Sequence, residues 1–264
     1  MKYTYEQLAK MIDHSLLHPT MTDQELEDGC RVAAKFGVAS VCIKPYAVKL
    51  AVELLRGSGV LVGAVIGFPH GNSCTESKRF ETRLACEDGA AEIDMVINIG
   101  KALSGDWDYV EKDIRAVCDE AHRHDAKVKV IFENDYLGKG GAGLSSDELK
   151  RMLCRICERA GADWVKTSTG YGFVKQPDGS YNYRGATEHD LALMRAACSS
   201  KVQVKAAGGV RDLDGLIKVR DLGASRCGAT ATAAILEEYR RREGVERAGQ
   251  SARPAKPIIG SGDY

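Results

Sequence analysis

Short apolar runs alternate along this chain with longer stretches whose apolar positions fall three and four residues apart, the pattern of buried strands interleaved with amphipathic helices. The runs are Met11–Leu17, Val38–Ile43, Leu61–Phe68, Ile93–Ile99, Val128–Phe132, Trp164–Thr167, Val202–Ala206 and Arg226–Ala229. Tyr5–Lys10 reads as a short opening helix. Thr22 with Glu25 gives a capping-box signal for a helix that runs to Phe36 and stops at Gly37. Regular alternation implies parallel pairing, and eight such units with no break in composition predict an α/β fold, a closed (β/α)8 TIM barrel in a single domain, residues 1–249. The alternative is an open, doubly wound sheet, but the Gly-x-Gly-x-x-Gly turn such sheets carry after the first strand is missing here. In a barrel the C-terminal strand ends share one mouth, expected here to gather Asp13, Cys42, Phe68, Asp94, Glu133, Lys166 and Lys205.

One connection breaks the rhythm. Residues 171–185, between Gly170 and a helix starting near Thr187, exceed the roughly 2 to 6 residues usual between a strand and its helix. Pro177-Asp178-Gly179 between two aromatic-bearing runs predicts an inserted hairpin beside the mouth, either part of a substrate lid or a subunit contact. Residues 250–264, rich in glycine, proline and small side chains, read as a flexible C-terminal tail.

Lysine plus arginine and aspartate plus glutamate both total 37, so no net field favours nucleic acid or an anionic membrane, and neither is expected as a partner. The chain starts polar and no apolar run approaches the roughly 18 residues of a membrane span, which makes the cytoplasm the expected compartment. Nine cysteines, an odd number lying mostly in apolar segments, predict reduced, buried thiols. Cys154 and Cys157 form a Cys-x-x-Cys, but inside the helical stretch Ser146–Ala160 and with no second pair at zinc-finger spacing. Core packing is their expected role, and no metal site is expected.

The candidate chemistry centres on Ala162-Asp163-Trp164-Val165-Lys166-Thr167-Ser168-Thr169-Gly170. Lysine is seldom buried without a partner, so a lysine inside an apolar strand is held there for a reason. Lys205, in Val202-Gln203-Val204-Lys205-Ala206, repeats the arrangement one strand later. With an ordinary pKa near 10.4, about one lysine in 2,500 offers a free amine at pH 7. Burial and a second ammonium both favour the free form, the requirement of Schiff-base catalysis. Neighbouring barrel strands lie about 4.8 Å apart, so two inward lysines can approach closely. Iminium formation and carbon–carbon cleavage also need a proton shuttle. Asp94, an acid within Glu92-Ile93-Asp94-Met95-Val96, is the first candidate and Asp13 the next, while Glu133 is expected to pair with a lysine in support. Gly208-Gly209, and Gly228 with Thr230, follow the last two strands, in the loops that hold phosphate in many barrels. His70 either contacts substrate or packs its loop; His122 and His124 sit in a polar helix and read as solvated.

Six blocks carry a resemblance: Ile12-Asp13-His14-Ser15-Leu16-Leu17, Ser40-Val41-Cys42-Ile43, Val65-Ile66-Gly67-Phe68-Pro69-His70-Gly71, Glu92-Ile93-Asp94-Met95-Val96, Val165-Lys166-Thr167-Ser168-Thr169-Gly170 and Lys205-Ala206-Ala207-Gly208-Gly209-Val210-Arg211. Over nearly its whole length the chain resembles the deoxyribose-phosphate aldolase family. The resemblance implies a class I aldolase on a (β/α)8 fold, reversibly cleaving 2-deoxy-D-ribose 5-phosphate to acetaldehyde and D-glyceraldehyde 3-phosphate. It implies no metal, no organic cofactor and a homo-oligomer. Lys166 would be the Schiff-base nucleophile, Lys205 the cation that tunes it, and Asp94 the acid/base acting with a water. Asp13, Cys42, Phe68, Thr169, Gly170, Gly208, Gly209, Gly228 and Thr230 are the expected substrate-binding set. In some members a C-terminal tyrosine reaches the site, and this chain ends in Tyr264 on a Gly260-Ser261-Gly262-Asp263 tether. The chain departs from the family in its longer insert and in Arg226-Cys227-Gly228-Ala229-Thr230-Ala231, the expected phosphate loop, where many members have serine. Three other readings stay open: a same-fold aldolase with a different or unphosphorylated acceptor, a phosphosugar isomerase whose lysines act only as ammonium ions, and a non-catalytic binding barrel, against which the two lysines and Asp94 speak.

Overall fold

A computed structural model describes residues 1–244; Tyr264 and the tail assigned to residues 250–264 lie outside the described residues. The described strands are β1 (Ile12–Leu16), β2 (Ser40–Ile43), β3 (Leu61–Ile66), β4 (Glu92–Val96), β5 (Lys127–Ile131), β6 (Trp164–Lys166), β7 (Val174–Lys175), β8 (Tyr181–Asn182), β9 (Gln203–Ala207) and β10 (Ala224–Ala229). Eight of them close into a barrel in the order β1-β2-β3-β4-β5-β6-β9-β10, with β10 returning to β1, and every barrel pair is parallel. The short strands β7 and β8 pair antiparallel, Val174 with Asn182 and Lys175 with Tyr181. In the turn between them the Asp178 carboxylate accepts from the backbone N–H and the hydroxyl of Ser180, at 2.9 and 2.7 Å.

Several apolar runs outlast their strands. The run Ile93–Ile99 covers β4 and the start of a helix, Ile99–Leu103, because Asn98 caps that helix by accepting from the Lys101 N–H at 3.1 Å. The run after Leu61 ends its strand at Ile66, where Gly67 turns the chain in a left-handed conformation, φ 59°.

Side chains alternate across each strand, and in a closed barrel one set faces the helices and the other the interior. The outward set is apolar: Ile12, Val41, Ile93, Met95, Val128, Val130, Val165, Val204, Ala206 and Cys227 belong to the main hydrophobic core. That core is completed by the inner faces of the helices. Helix Ser146–Ala160, opened by a Ser145/Glu148 capping box, buries Leu149, Leu153, Cys154, Ile156 and Cys157, so the Cys-x-x-Cys pair is packing material. All nine cysteines are free thiols, with Cys74 exposed and the others buried. Among the described residues no helix is long and apolar enough to cross a membrane.

One buried ion pair ties the outer shell to the barrel. Lys78, in helix Thr75–Glu87, is fully buried; its ammonium donates to Asp113 Oδ2 at 2.6 Å and to the Val96 carbonyl at 2.9 Å. Asp113 lies in helix Trp107–His122 and also accepts from the Thr75 hydroxyl at 2.8 Å. Two helices are thereby pinned to the end of β4. Removing one partner of such a pair strands a buried charge, which costs about 3–5 kcal/mol. Lys78→Met is expected to lose stability on that scale in urea titration, and Lys78→Met with Asp113→Leu to recover much of it; equal loss in the single and double variants would contradict this account.

Candidate active site

The inward set on these strands is charged where most barrels carry branched apolar residues. Register decides which groups meet. Lys166 lies level with Lys205, Lys205 with Arg226, Asp94 with Lys129, and Asp13 with Ser40. Asp94 is the hub. Its Oδ2 accepts from Lys166 Nζ and Lys205 Nζ, each at 2.7 Å, and its Oδ1 from Lys129 Nζ at 3.0 Å. Lys129 also binds Glu92 at 2.5 Å and lies 3.4 Å from Asp13 Oδ2. Lys205 Nζ lies 2.5 Å from the same Asp13 oxygen. Arg226 spans Asp13 and Glu92: its Nε donates to Asp13 Oδ1 at 2.7 Å, its Nη1 to Glu92 Oε1 at 2.8 Å, and its Nη2 to Asp13, Glu92 and the Ser40 hydroxyl. The Trp164 ring lies 5.8 Å from the Lys129 ammonium and 5.6 Å from the Arg226 guanidinium, within cation–π range, and its Nε1 donates to Ser225 at 2.9 Å.

Three carboxylates (Asp13, Glu92, Asp94) thus face four cations (Lys129, Lys166, Lys205, Arg226), one cation in excess. The excess is not evenly shared. Lys129 touches three carboxylates, and Lys205 and Arg226 two each, but Lys166 has Asp94 alone and shares that oxygen with Lys205. Lys166 is also the residue on which β6 ends. It is the network's least-held cation, placed where the barrel opens.

The protonation states follow from these contacts. Burial opposes charge on Asp94, but the ammoniums of Lys129, Lys166 and Lys205 outweigh it and hold the carboxyl well below the ordinary range. Burial likewise opposes charge on Lys205, and Asp13 and Asp94 overcome it, so its ammonium is held above the ordinary lysine range. Lys205 is a fixed positive charge. It meets Lys166 across a shared carboxylate, a different arrangement from two ammoniums facing each other. Cys42 donates to Asp94 Oδ2 at 3.8 Å, and burial with that neighbour pushes its thiol up to about 11.

Above the network, Leu17, Cys42 and Val65 form a small apolar cluster roofed by the half-buried Phe68 and Tyr171, whose rings meet edge-on with centroids 5.6 Å apart. The Thr167 hydroxyl bridges the backbone N–H and carbonyl of Ala207, at 3.1 Å each, and keeps β6 and β9 together past the two lysines. Gly170, Gly208 and Gly209 turn with φ of 86°, 86° and 89°. Gly185 packs on the Gly208 backbone, so the segment that follows the inserted hairpin lies against the first expected phosphate loop. Gly228 leaves open the space beside Lys205 Cε, and Thr230 is exposed just before helix Thr232–Arg242.

Three residues differ from their expected settings. Asp13 is fully buried and engaged by Ser40, Arg226, Lys129 and Lys205. Arg226, read both as the start of the last strand and as part of the expected phosphate loop, lies within β10 and faces inward to Asp13 and Glu92. The Thr169 hydroxyl is engaged by Glu133 and accepts from the Tyr171 N–H at 2.9 Å. The reading of single residues missed Lys129, Glu92 and Ser40. Their signal is period two: Glu92-Ile93-Asp94 and Lys127-Val128-Lys129-Val130 put charge on every second position, which inside a closed barrel means one shared interior. Among the described residues no group of three or more His, Cys, Asp or Glu is placed to hold a metal ion.

Comparison with known proteins matches residues 7–239 to the family described as DeoC/LacD family aldolase. The chain is 49% identical over 243 residues to a deoxyribose-phosphate aldolase of Rhodopirellula baltica, covering 92% of this chain and 93% of that one. It is 46% identical over 232 residues to deoxyribose-phosphate aldolase 1 of Bacillus licheniformis, covering 88% and 96%. Among solved structures, the tetrameric deoxyribose phosphate aldolase of Aeropyrum pernix superposes with a TM-score of 0.76 at 28% identity over 90% of this chain and 92% of that one. An aldolase designated QR15 superposes with a TM-score of 0.78 at 34% identity over 90% and 98%.

Arg226 tests the lower half of the network. Arg226→Met leaves Asp13 and Glu92 buried without their guanidinium and is expected to cost about 3–5 kcal/mol in urea unfolding. Arg226→Lys should restore only part, because an ammonium is a point charge and cannot span both carboxylates and Ser40. Full restoration by lysine would show that charge alone, without the fork, suffices.

Proposed function

The chain belongs to the DeoC/LacD aldolase family, and from that premise we propose that it works as a class I deoxyribose-phosphate aldolase with Lys166 as its Schiff-base lysine. The observation that carries the reading is the unequal sharing of charge: four cations over three carboxylates, with the least-held ammonium at the open end of the barrel. Lys166 is held at 2.7 Å by Asp94 alone, an oxygen it shares with Lys205, and once its ammonium has lost a proton to water the neutral amine can attack as the nucleophile.

The cleavage direction then runs as follows. Lys166 Nζ adds to C1 of the open-chain 2-deoxy-D-ribose 5-phosphate, and the carbinolamine loses water to give an iminium. Asp94, acting through a water, takes the proton of the C3 hydroxyl. The C2–C3 bond breaks, its electron pair flows into the iminium to form an enamine, and D-glyceraldehyde 3-phosphate leaves. Protonation at C2 and hydrolysis return acetaldehyde and free Lys166. Throughout, Lys205, held as an ammonium by Asp13 and Asp94, supplies fixed positive charge beside the reacting nitrogen. The buried apolar side chains Leu17, Cys42 and Val65 suit the two-carbon end of the substrate. The Gly208-Gly209 turn and the Gly228 to Thr230 segment are proposed for the phosphate.

A second acceptor is favoured by one observation. With Arg226 spent inside the barrel, the β10 end offers phosphate no guanidinium of its own, so an unphosphorylated acceptor aldehyde is the competing reading. The ratio of kcat/KM for deoxyribose 5-phosphate and free deoxyribose separates the two. Homo-oligomeric assembly is part of the proposal, supported by the tetramer named for the Aeropyrum pernix aldolase.

Borohydride reduction with acetaldehyde, followed by peptide mass mapping, should place the adduct on Lys166, and Lys166→Met should give none. Asp94→Asn should lower kcat by on the order of 10²- to 10⁴-fold, the range of a lost acid–base group. An adduct on Lys205 would reverse the two lysines, and turnover with no trapped lysine would overturn the class I mechanism.

A further inference from the structure

The mechanism leaves one buried carboxyl at the mouth unused. Glu133, just past the end of β5, is 1% exposed and adopts a left-handed backbone conformation, φ 57°, which is strained for a non-glycine residue and persists only where the surroundings impose it. Its side chain crosses to the loop that follows Lys166. Both carboxyl oxygens accept from the Thr169 N–H, at 3.3 and 3.2 Å, and the Thr169 hydroxyl makes a very short bond to Oε2. Because that hydroxyl also accepts from the Tyr171 N–H, its own proton is left to point at Glu133. Gly172 closes against the same carboxyl: a Cβ there would stand 2.4 Å from Glu133 Cδ. Three residues on, the Tyr136 hydroxyl donates to the Phe173 carbonyl at 3.3 Å. The segment from Thr169 to Phe173 is therefore fastened to the β5 end at three points, and its Tyr171 is one of the two rings roofing the apolar cluster beside Asp94.

We propose that Glu133 is a positioning residue for the aldolase reaction: it seats the Thr169–Phe173 segment over the mouth and so sets affinity for the full-length sugar phosphate, while formation of the acetaldehyde iminium on Lys166 does not depend on it. The inference rests on the Schiff-base reading above. Geometry explains the division. The grip is on the loop beyond Lys166, whereas Lys166 itself is held from inside the barrel by Asp94.

The grip should vary with pH. Both Thr169 donors aim at Glu133, so the ionised carboxylate is the form that matches them. Burial pushes the Glu133 carboxyl up to about 7, with Thr169 and the Lys166 ammonium opposing that rise and Asp135 adding to it. Tyr136 is the remaining titratable neighbour, and its own proton is held more firmly by burial and by Glu133. Raising the pH through 7 ionises Glu133 and tightens the seat.

The test compares wild type, Glu133→Gln and Gly172→Ala. Glutamine keeps one acceptor but turns a donor towards Thr169 and cannot titrate; the alanine Cβ must push the Glu133 carboxyl aside. In both variants KM for deoxyribose 5-phosphate is expected to rise about tenfold, the scale of one lost charge-assisted hydrogen bond. The rate of borohydride trapping of acetaldehyde on Lys166 should stay that of wild type. Wild-type KM should fall between pH 6 and 8 relative to Glu133→Gln, which removes the shared contribution of substrate phosphate ionisation. Tyr136→Phe, a mild change that releases only Phe173, should raise KM by a smaller factor and keeps the test open if the alanine variant does not fold. Unchanged KM in Glu133→Gln, or KM and trapping lost together in every folded variant, overturns the proposal. Absence of any adduct in the wild type would instead sink the Schiff-base reading on which it rests.

Discussion

The carboxylate of Asp94, fully buried with three ammoniums around it, is the interaction on which this structure depends. An isolated charge at that depth would be prohibitive, and each member of the network is tolerable only because the others are present. The barrel interior is therefore not the hydrophobic core of this protein. The apolar core is the shell between the outward faces of the strands and the helices, and the closed sheet separates that shell from a chamber of ions. Stability and chemistry are divided by the period-two alternation of the strands: one set of side chains supplies the burial, the other the charge.

The same alternation decides what could be read from the chain. Eight strands and their parallel order are legible because each carries an apolar set strong enough to stand out, and Lys166, Lys205 and Asp94 are legible because charge interrupts those sets. What the chain alone does not show is who meets whom. Lys166 and Lys205 are expected to point inward beside a carboxylate, with Asp94 the first candidate, and both meet Asp94 Oδ2; only the closed geometry reveals that Lys129 arrives at its other oxygen. Arg226 carries two readings, the start of the last strand and the head of the expected phosphate loop; the strand reading holds to Ala229, and the guanidinium turns inward to Asp13 and Glu92. Thr169, a hydroxyl after a strand and so expected at a ligand, has a partner the chain alone does not show, a glutamate from the neighbouring strand end.

The loops show a second division of labour. On one side the mouth is lined by Leu17, Cys42 and Val65, a surface that rewards carbon. On the other it is lined by glycines in left-handed turns, where backbone N–H groups can come close to an anion without a side chain intervening. A substrate with an apolar two-carbon head and a charged tail is matched by that polarity across the opening, with the nucleophile between.

The position of the insert follows from these constraints. None of the network's contacts involves residues of the hairpin, so lengthening this connection leaves the ions undisturbed. It is nevertheless not free of the site, because its end sets Gly185 against Gly208 and its start is fastened at Thr169 by Glu133. A loop anchored at both ends to the rim of the mouth can change what the enzyme accepts without changing how it reacts. Variation in substrate range should therefore accumulate in such segments, while the seven charged residues beneath them are constrained as a set, since altering any one takes a contact from partners that are buried.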